Sequence, residues 1–359
     1  MSRILIGGAG GAPSEGVIQS LLEDEKHEEI IGMGSEPFDL ILSAAEKKLC
    51  IPYAIAAGYK NRLFKILTEE KIDFLHCQND VEIFEVSKFR DDIKSLGVSL
   101  YLPEHDVVDV CVNKFKSYEK WASEGIPVPR NIFINNEQDL KRAFDQLEDS
   151  EGNVWIRSAS IGGGGKGALP TNDFEFAKRW INRYNGWGSF SAAEMLTSQT
   201  VTWLSIWYEG ELVVAQTRKR IGGWIHGSRT LSGVTGVTKV GITLSDENIN
   251  STATSAILSI DKKPNGIYGV DMTYDKKGIP KPTEINIARF FTTILFFTKA
   301  GLNMPKIYKD IALYNEFPSL NKKINPLPDG LMWVRGMDTE PILITEEYLR
   351  QNLKGFEVE

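Results

Sequence analysis

An α/β fold led by a parallel, Rossmann-type sheet is the reading that three observations support. Residues 1–110 alternate short apolar runs with amphipathic stretches. The first run, "RILIGG", passes straight into the glycine-rich turn "GGAGGAPSEG". Beyond residue 113 the pattern turns to strand pairs about tight turns, mixed with helices. Strands alternating with helices lie parallel, because each helical crossover returns the chain to the same end of the sheet. Runs joined by a tight turn fold back antiparallel instead.

In chain order, "RILIGG" predicts a strand and "SEGVIQSLLED" a helix with Ser14 as its N-cap. "EIIGMG" reads as a strand, "NRLFKILTEEK" as a helix, "IDFLHCQ" as a strand and "EIFEVSKFRDDIKSLG" as one helix. "NKFKSYEKWASEGIPVPRN" predicts a helix ending at Gly125 and an extended, proline-punctuated link. A helix over 136–150 follows, then the strand "NVWIRSAS" and the helix "DFEFAKRWINRY". "SAAEML" leads into "TVTWLSIWYEGELVVAQTRKR", a hairpin turning at Glu209-Gly210. "GGWIHGSRTLSGVTGV" reads as a long polar loop and 247–261 as a helix. "GIYGVDMTYD" and "KPTEINIA" are two strands about the turn "DKKGIP", and "MWVRGMDTEPILITEEYL" is an appended strand and helix.

The chain has 359 residues, enough for two or three domains, with 42% hydrophobic and 25% charged residues, the balance of a soluble globular protein. Its formal charge of −7 argues against sequence-independent nucleic-acid binding, while leaving room for small anionic ligands held by local positive charge. Cys50, Cys77 and Cys111 are scattered and read as reduced residues; His27, His76, His105 and His226 lack zinc-ligand spacing. The N-terminus enters a strand at once, and the most apolar later segment, "FFTTILFF", is too short to span a bilayer. A cytoplasmic location without nucleic-acid or membrane partners is the expectation.

Two stretches carry chemistry. "IRSASIGGGGKGALP" places Arg157 ahead of Gly162, Gly163, Gly164, Gly165, Lys166 and Gly167. Backbone without Cβ can close around a phosphate and offer N–H groups to it, although a surface hairpin has the same composition. No hydroxyl residue follows Lys166, so it is not a P-loop. In the second stretch, centring the hairpin on "DKKGIP" sets Asp271 opposite Glu284, with Asn286 on the same face. Two carboxylates and an amide oxygen converging on one face suit Mg2+, and they also suit a merely solvated hairpin face. The first glycine turn resembles a dinucleotide fingerprint loosely, but Pro13 intrudes and no acidic residue clearly ends a second strand.

A glycine loop over phosphates, a downstream acidic hairpin and a Rossmann-like front domain together resemble the ATP-grasp superfamily over about residues 1–310. The residues that carry the likeness are "NKFKSYEKWASEGIPVP", "IRSASIGGGGKGA" and "GVDMTY…EIN". Within it the chain looks most like a single grasp module of the carbamoyl phosphate synthetase large-subunit branch. The implied organisation is a pre-grasp domain over 1–112, a lid subdomain over 113–195, a metal-bearing subdomain over 196–310 and an extension over 311–359.

The resemblance implies roles as well. Lys114 and Arg157 match the basic contacts to the nucleotide phosphates, and Gly162 to Gly167 the lid. Glu194, Met195 and Leu196 match the adenine hinge, and Asp271, Glu284 and Asn286 the metal ligands. Arg289 stands near an arginine that usually follows the "E-x-N" pair, though "EINIARFF" lacks the usual continuation. The ribose contact, at Val201 or a neighbouring threonine, departs from the pattern. Read from the residues alone, Arg218, Lys219, Arg220 and Arg229 flank the polar loop, where some of them can hold the acyl-accepting carboxylate and a solvated basic loop is the alternative; Arg220 and Arg289 are the expected catalytic residues. The implied activity joins a carboxylate to an amine through an acyl phosphate, using ATP and Mg2+ (or Mn2+) and forming ADP. Bicarbonate or carbamate phosphorylation and a non-catalytic nucleotide-binding regulator are the alternatives. Small-molecule substrates and a homodimer are the partners it implies.

Overall fold

The computed structural model describes residues 2–159, 167–227, 236–336 and 341–352. The front domain is a parallel sheet of β1 (Arg3–Gly7), β2 (Glu29–Gly34), β3 (Lys47–Cys50) and β4 (Phe74–His76), in the order β3-β2-β1-β4. Ile4, Leu5 and Ile6 are fully buried, as a strand covered on both faces requires. The order reverses between β1 and β4, so the ligand crevice of such a sheet falls at the carboxyl ends of those two strands.

Local details differ from the sequence expectation for identifiable reasons. The first helix is Ala12–Leu22, capped by Gly11 rather than Ser14. Pro13 fits the first turn, where its missing N–H costs nothing, and Ser14 instead donates to the Gly7 carbonyl at 2.8 Å. The single helix expected over 82–97 is two, Asp80–Ser87 and Arg90–Ser95. The short edge strand β3 had no periodicity to reveal it.

Gly7 is required by a close approach: a Cβ there would fall 2.0 Å from an Oε of Glu82. Glu82 is buried, accepts from the Tyr59 hydroxyl at 2.8 Å and from the Asn79 amide at 3.2 Å, and burial pushes its pKa up to about 7. The folded state therefore holds a proton that the unfolded chain releases near pH 4.5. Stability from this group declines as pH rises from about 4.5 to about 7, by roughly 3 kcal/mol in all. Urea midpoints of wild type and Glu82→Gln at pH 5 and pH 8 test this. The wild type should lose more than the variant on going to pH 8, and parallel losses would refute it.

A second sheet is antiparallel, built from β5 (Asn131–Ile134), β6 (Val154–Ser158), β7 (Leu169–Thr171) and β8 (Phe190–Ala193), in the order β5-β8-β6-β7. Helices Glu137–Leu147 and Phe174–Arg183 bury Leu140, Ala143, Leu147, Ala177 and Ile181 against it. Gly162, Gly163, Gly164, Gly165 and Lys166 lie outside the described residues, as does Arg229.

The body is built from β9 (Thr200–Tyr208), β10 (Glu211–Arg220), β11 (Trp224–Gly227), β12 (Gly236–Thr238), β13 (Val240–Leu244), β14 (Gly266–Tyr274), β15 (Pro280–Ile287), β16 (Leu331–Val334) and β17 (Ile342–Thr345). Seven of these form one antiparallel sheet, β15-β14-β9-β10-β13-β16-β17, while β11 pairs with β12. The stretch read as a long polar loop thus contains a strand pair. The stretch read as an appended strand and helix supplies two strands and then enters the helix Glu346–Asn352, and β16 pairs directly with β13. Glu209 and Gly210 both have positive φ, the geometry that lets a two-residue turn follow the twist of β9 and β10.

Candidate active site

The site begins with a row across the central sheet. Arg218 on β10 pairs with Thr202 on β9, Thr202 with Asp271 on β14, and Asp271 with Glu284 on β15. Directly paired antiparallel residues share a face, so four strands present these side chains as one polar line. The pairing expected from "DKKGIP" is found at Asp271 and Glu284 by way of a bulge: next to the turn Tyr274 pairs with Pro280, one residue off that centring, and the shift between Met272 and Asp271 restores it.

Hydrogen bonds follow the row. An Nη of Arg218 donates to the Thr202 hydroxyl at 2.7 Å, and that hydroxyl donates to an Asp271 carboxylate oxygen at 2.5 Å. The Asn286 amide donates to the other Asp271 oxygen at 2.9 Å, so Asn286 joins the same cluster. Burial, and then the neighbouring charge of Glu284, push the Asp271 pKa up. Glu284 moves the other way, to about 2, because the Lys114 ammonium stands 3.0 Å away, with Arg157 and Arg289 adding to the pull. Lys114 is delivered by the first turn of helix Lys114–Ser123, whose cap is the Asn113 side chain accepting from the amides of Phe115 and Lys116. Arg157 reaches over from β6 with a long 3.4 Å bond to the Thr283 carbonyl, and its buried Nε has no partner among the described residues.

Arg289 comes from a sharp break. Ala288 takes a left-handed φ of 53°, ending β15 and turning the arginine back onto Asn286, whose oxygen it engages. The same guanidinium grips Asp80 through Nε at 2.6 Å and Nη2 at 3.2 Å. Asp80 opens the helix beyond β4, so the front domain's crevice is tied to the polar row. Gln78 adds a second tie by accepting from the Phe290 amide at 2.9 Å and donating to its carbonyl at 3.1 Å. His76 lies in the core behind it, with burial holding its pKa down at about 4.

Residues 194–196, expected from the resemblance to form a hinge, also meet the body. Glu194 follows β8, and its carboxylate takes Lys281 at 2.8 Å and the Arg130 guanidinium at 2.9 Å. Glu194 N donates to the Arg130 carbonyl and Thr197 N to the Tyr274 carbonyl, both at 3.0 Å. Met195 and Leu196 lie half-buried between these two pins.

Of the two arginines on one face of β10, Arg218 rather than Arg220 reaches the centre of the row. Arg220 donates to Thr200 and the Ser198 carbonyl, both at 3.2 Å. Arg218 is buried over the Phe291 ring, 4.9 Å from its centroid, and occupies space that a Cβ at Gly241 would invade at 2.8 Å. Burial brings its pKa down to about 10.

Sequence reasoning passed over Arg335, just after β16. Its Nε donates to the Thr238 carbonyl and its Nη1 to the Thr292 carbonyl, each at 2.9 Å, while Arg218 donates to the Thr238 hydroxyl at 2.8 Å. Burial first, and then repulsion from Arg218, hold Arg335 down at about 10. Neither guanidinium forms an ion pair among the described residues, so two like charges stand close together beside the Thr202–Asp271 pair. A bound anion would relieve that cost. The signal available in the sequence was one arginine after an apolar run, "MWVRG", which nothing local distinguishes from a surface charge.

For a divalent cation, the donor set is Asp271 and Glu284, with the Asn286 oxygen engaged by Arg289. No three His, Cys, Asp or Glu side chains gather to hold a metal among the described residues. Two carboxylates with mutual repulsion fit an ion that completes its shell with water and phosphate oxygens, as Mg2+ does.

No family model matches the sequence, and no curated protein does. Solved structures do match. L-amino acid ligase from Bacillus licheniformis aligns with a TM-score of 0.66 at 13% identity, over 93% of this chain and 79% of that one. Biotin carboxylase from Campylobacter jejuni aligns at 0.70 and 15%, over 93% and 75%. Carboxyaminoimidazole ribonucleotide synthase from Aspergillus clavatus aligns at 0.68 and 13%, over 93% and 81%. The chain has the ATP-grasp fold.

Proposed function

We propose that the protein is an ATP- and Mg2+-dependent ligase that joins a carboxylate to an amine through an acyl phosphate, releasing ADP and phosphate. The observation that carries this reading is the row Arg218–Thr202–Asp271–Glu284, with Lys114 and Arg157 brought to its Glu284 end. Phosphoryl transfer to a carboxylate drives two anions together, and this row sets positive charge at both ends of an acidic centre.

In this reading Lys114 and Arg157 hold the triphosphate, and the hinge at Met195 and Leu196 takes the adenine against its backbone. Glu194 braces that hinge through Arg130 and Lys281. Arg218 and Arg335 hold the substrate carboxylate, and Arg289 positions Asn286 and ties in the front domain. Asp271 and Glu284 would hold Mg2+, which supplies charge neutralisation at the transferring phosphoryl group. A carboxylate oxygen then attacks the γ-phosphorus as its bond to the ADP oxygen breaks. The amine nitrogen next attacks the acyl carbon, phosphate leaves, and the nitrogen gives up a proton. Gly162 to Gly167, as a lid, would shield the acyl phosphate from water.

The test is a phosphate-release screen over carboxylate and amine pairs, bicarbonate included. ADP and phosphate should form only with a divalent metal; AMP and pyrophosphate would signal adenylate chemistry and overturn the mechanism. Arg335→Ala should raise the KM for the carboxylate by about tenfold or more, with the KM for ATP nearly unchanged, because it removes one charge-assisted contact. A KM that moves only for ATP would refute the assignment.

A second reading, phosphorylation of bicarbonate or carbamate, draws support from Arg218 and Arg335, two neighbouring guanidiniums without an ion-pair partner among the described residues, a charge that suits a small oxyanion. The regulator and dinucleotide readings gain nothing comparable. In the glycine turn after β1, Glu15 accepts from the amides of Gly10 and Ala44, each at 2.8 Å, so the chain's own carboxylate takes the position a pyrophosphate would need.

A further inference from the structure

One side chain in the polar row carries no charge. Thr202 stands on β9 between Arg218 on β10 and Asp271 on β14, in register with both, and is 3% exposed. Its hydroxyl accepts from an Nη of Arg218 at 2.7 Å and donates to an Asp271 oxygen at 2.5 Å. Among the described residues Arg218 and Asp271 form no ion pair with each other. A single oxygen atom separates the two opposite charges.

The residue type suits that place. An arginine only donates and an ionised aspartate only accepts, so a group that links them without joining them must do both at one atom. A hydroxyl on a short β-branched stem does this, and such a stem fits a strand. Valine keeps the shape and loses the hydroxyl, whereas serine keeps the hydroxyl.

Two forces urge Arg218 toward Asp271: the attraction of that carboxylate and the repulsion of Arg335. Against them, the Thr238 hydroxyl accepts from Nη1 at 2.8 Å and the Thr293 hydroxyl at 3.4 Å. The buried Nε has no partner among the described residues. Asp271 is held from its far side by the Asn286 amide at 2.9 Å. Direct contact would form the bidentate pair that arginine and carboxylate favour. It would also use up both charges of the site, the negative one a metal needs and the positive one a substrate carboxylate needs.

We propose that Thr202 is a positioning residue that keeps Arg218 from closing onto Asp271, so that the basic and acidic groups flanking β9 stay separately available. This rests on the ligase reading above, which gives Asp271 to the metal and Arg218 to the substrate carboxylate. It adds the residue that lets the two coexist.

The test reads binding without turnover. Full-length protein with adenylyl imidodiphosphate is titrated with Mn2+ by electron paramagnetic resonance, and [13C]formate binding is read from carbon relaxation enhanced by the bound Mn2+. Thr202→Val should weaken both probes by about tenfold or more, since hydrogen bonds to two charged groups are lost. Thr202→Ser should bind both nearly as the wild type does. Thr238→Val removes another acceptor of Arg218 but leaves the bridge, so it should weaken formate and spare Mn2+. The deciding comparison is made in an Arg218→Met background, where no guanidinium is left to close onto Asp271. Adding Thr202→Val there should change Mn2+ affinity by less than about threefold. Thr202→Ala is measured in parallel, with urea midpoints, so that a folding defect peculiar to valine does not decide the result. The proposal is overturned if the wild type fails to bind either probe, or if Thr202→Val binds both as the wild type does. It is equally overturned if Thr238→Val costs as much Mn2+ affinity as Thr202→Val, or if the Thr202→Val loss is the same size with and without Arg218. The last result would make Thr202 a brace for Asp271 alone. The expected binding pattern in a protein that forms no ADP in the phosphate-release screen would sink the ligase reading and leave this assignment standing.

Discussion

Replacing Glu284 by glutamine is expected to lower ATP-dependent turnover by roughly a hundredfold or more, the scale of losing one preorganised electrostatic partner in a transition state. Glutamine is nearly isosteric, so the β14–β15 pairing stays. What goes is the negative charge that Lys114 approaches at 3.0 Å, the approach that holds the Glu284 pKa near 2. Three cations then face one another with only Asp271 and Asp80 nearby, and the divalent-metal requirement should move to much higher concentration. Asp271 supplies an independent readout. Burial first and the Glu284 charge second raise its pKa, so the variant should ionise Asp271 at lower pH than the wild type. Glu211, exposed at the start of β10, is the control. Equal turnover by Glu284→Gln and Glu211→Gln would show that the acidic face has no part in the reaction.

The acidic pair was legible because a hairpin is a local object. Centring on "DKKGIP" sets Asp271 against Glu284, and the structure reaches that pairing through a bulge that the sequence did not show, since the turn itself closes with Tyr274 opposite Pro280. The β9–β10 hairpin was legible for the same reason. Arg218 and Arg220 were not separable, because residues two apart on a strand share a face and their environment comes from other strands. Gly241 on β13, which makes room for one arginine, is where the choice is made. Arg335 and Asp80 depend on contacts across the whole chain. Asp80 meets Arg289 at 209 residues' separation, and Arg335 meets Thr238 at 97. Local periodicity does not encode that. Ser14 misled because the cap rule ranks residue types, whereas here Pro13 and the glycine turn set where the helix begins.

The largest stability effect is expected far from the row, at Lys309. Its side chain is fully buried on helix Met304–Tyr314, with Nζ 2.6 Å from Asp24, 2.8 Å from Glu28 and 2.9 Å from Asp310. All three acidic residues are themselves buried, and Asp24 and Glu28 belong to the front domain, so this ammonium fastens the helix to that domain. Burial alone would lower the lysine pKa, but the three hydrogen-bonded carboxylates outweigh it and raise it. Lys309→Met keeps the apolar stem and removes the charge, leaving three carboxylates with only Lys306 and Lys26 nearby. Breaking a buried pair from one side costs about 3–5 kcal/mol, because the remaining charge stays desolvated. The pH dependence follows from the acids. Although burial would raise them, Lys309 and Lys306 lower the pKa values of Asp24 and Asp310 in the folded wild type. That stabilisation is present above the ordinary carboxylate range and is lost as pH falls through the lowered values. In the variant, repelling carboxylates are instead relieved by protonation. The gap in urea midpoint between wild type and Lys309→Met should therefore be wide at pH 7 and narrow toward pH 4. Lys322→Met, at an exposed site, should show little loss at either pH. A gap of the same size at both pH values would mean that Lys309 contributes packing rather than charge.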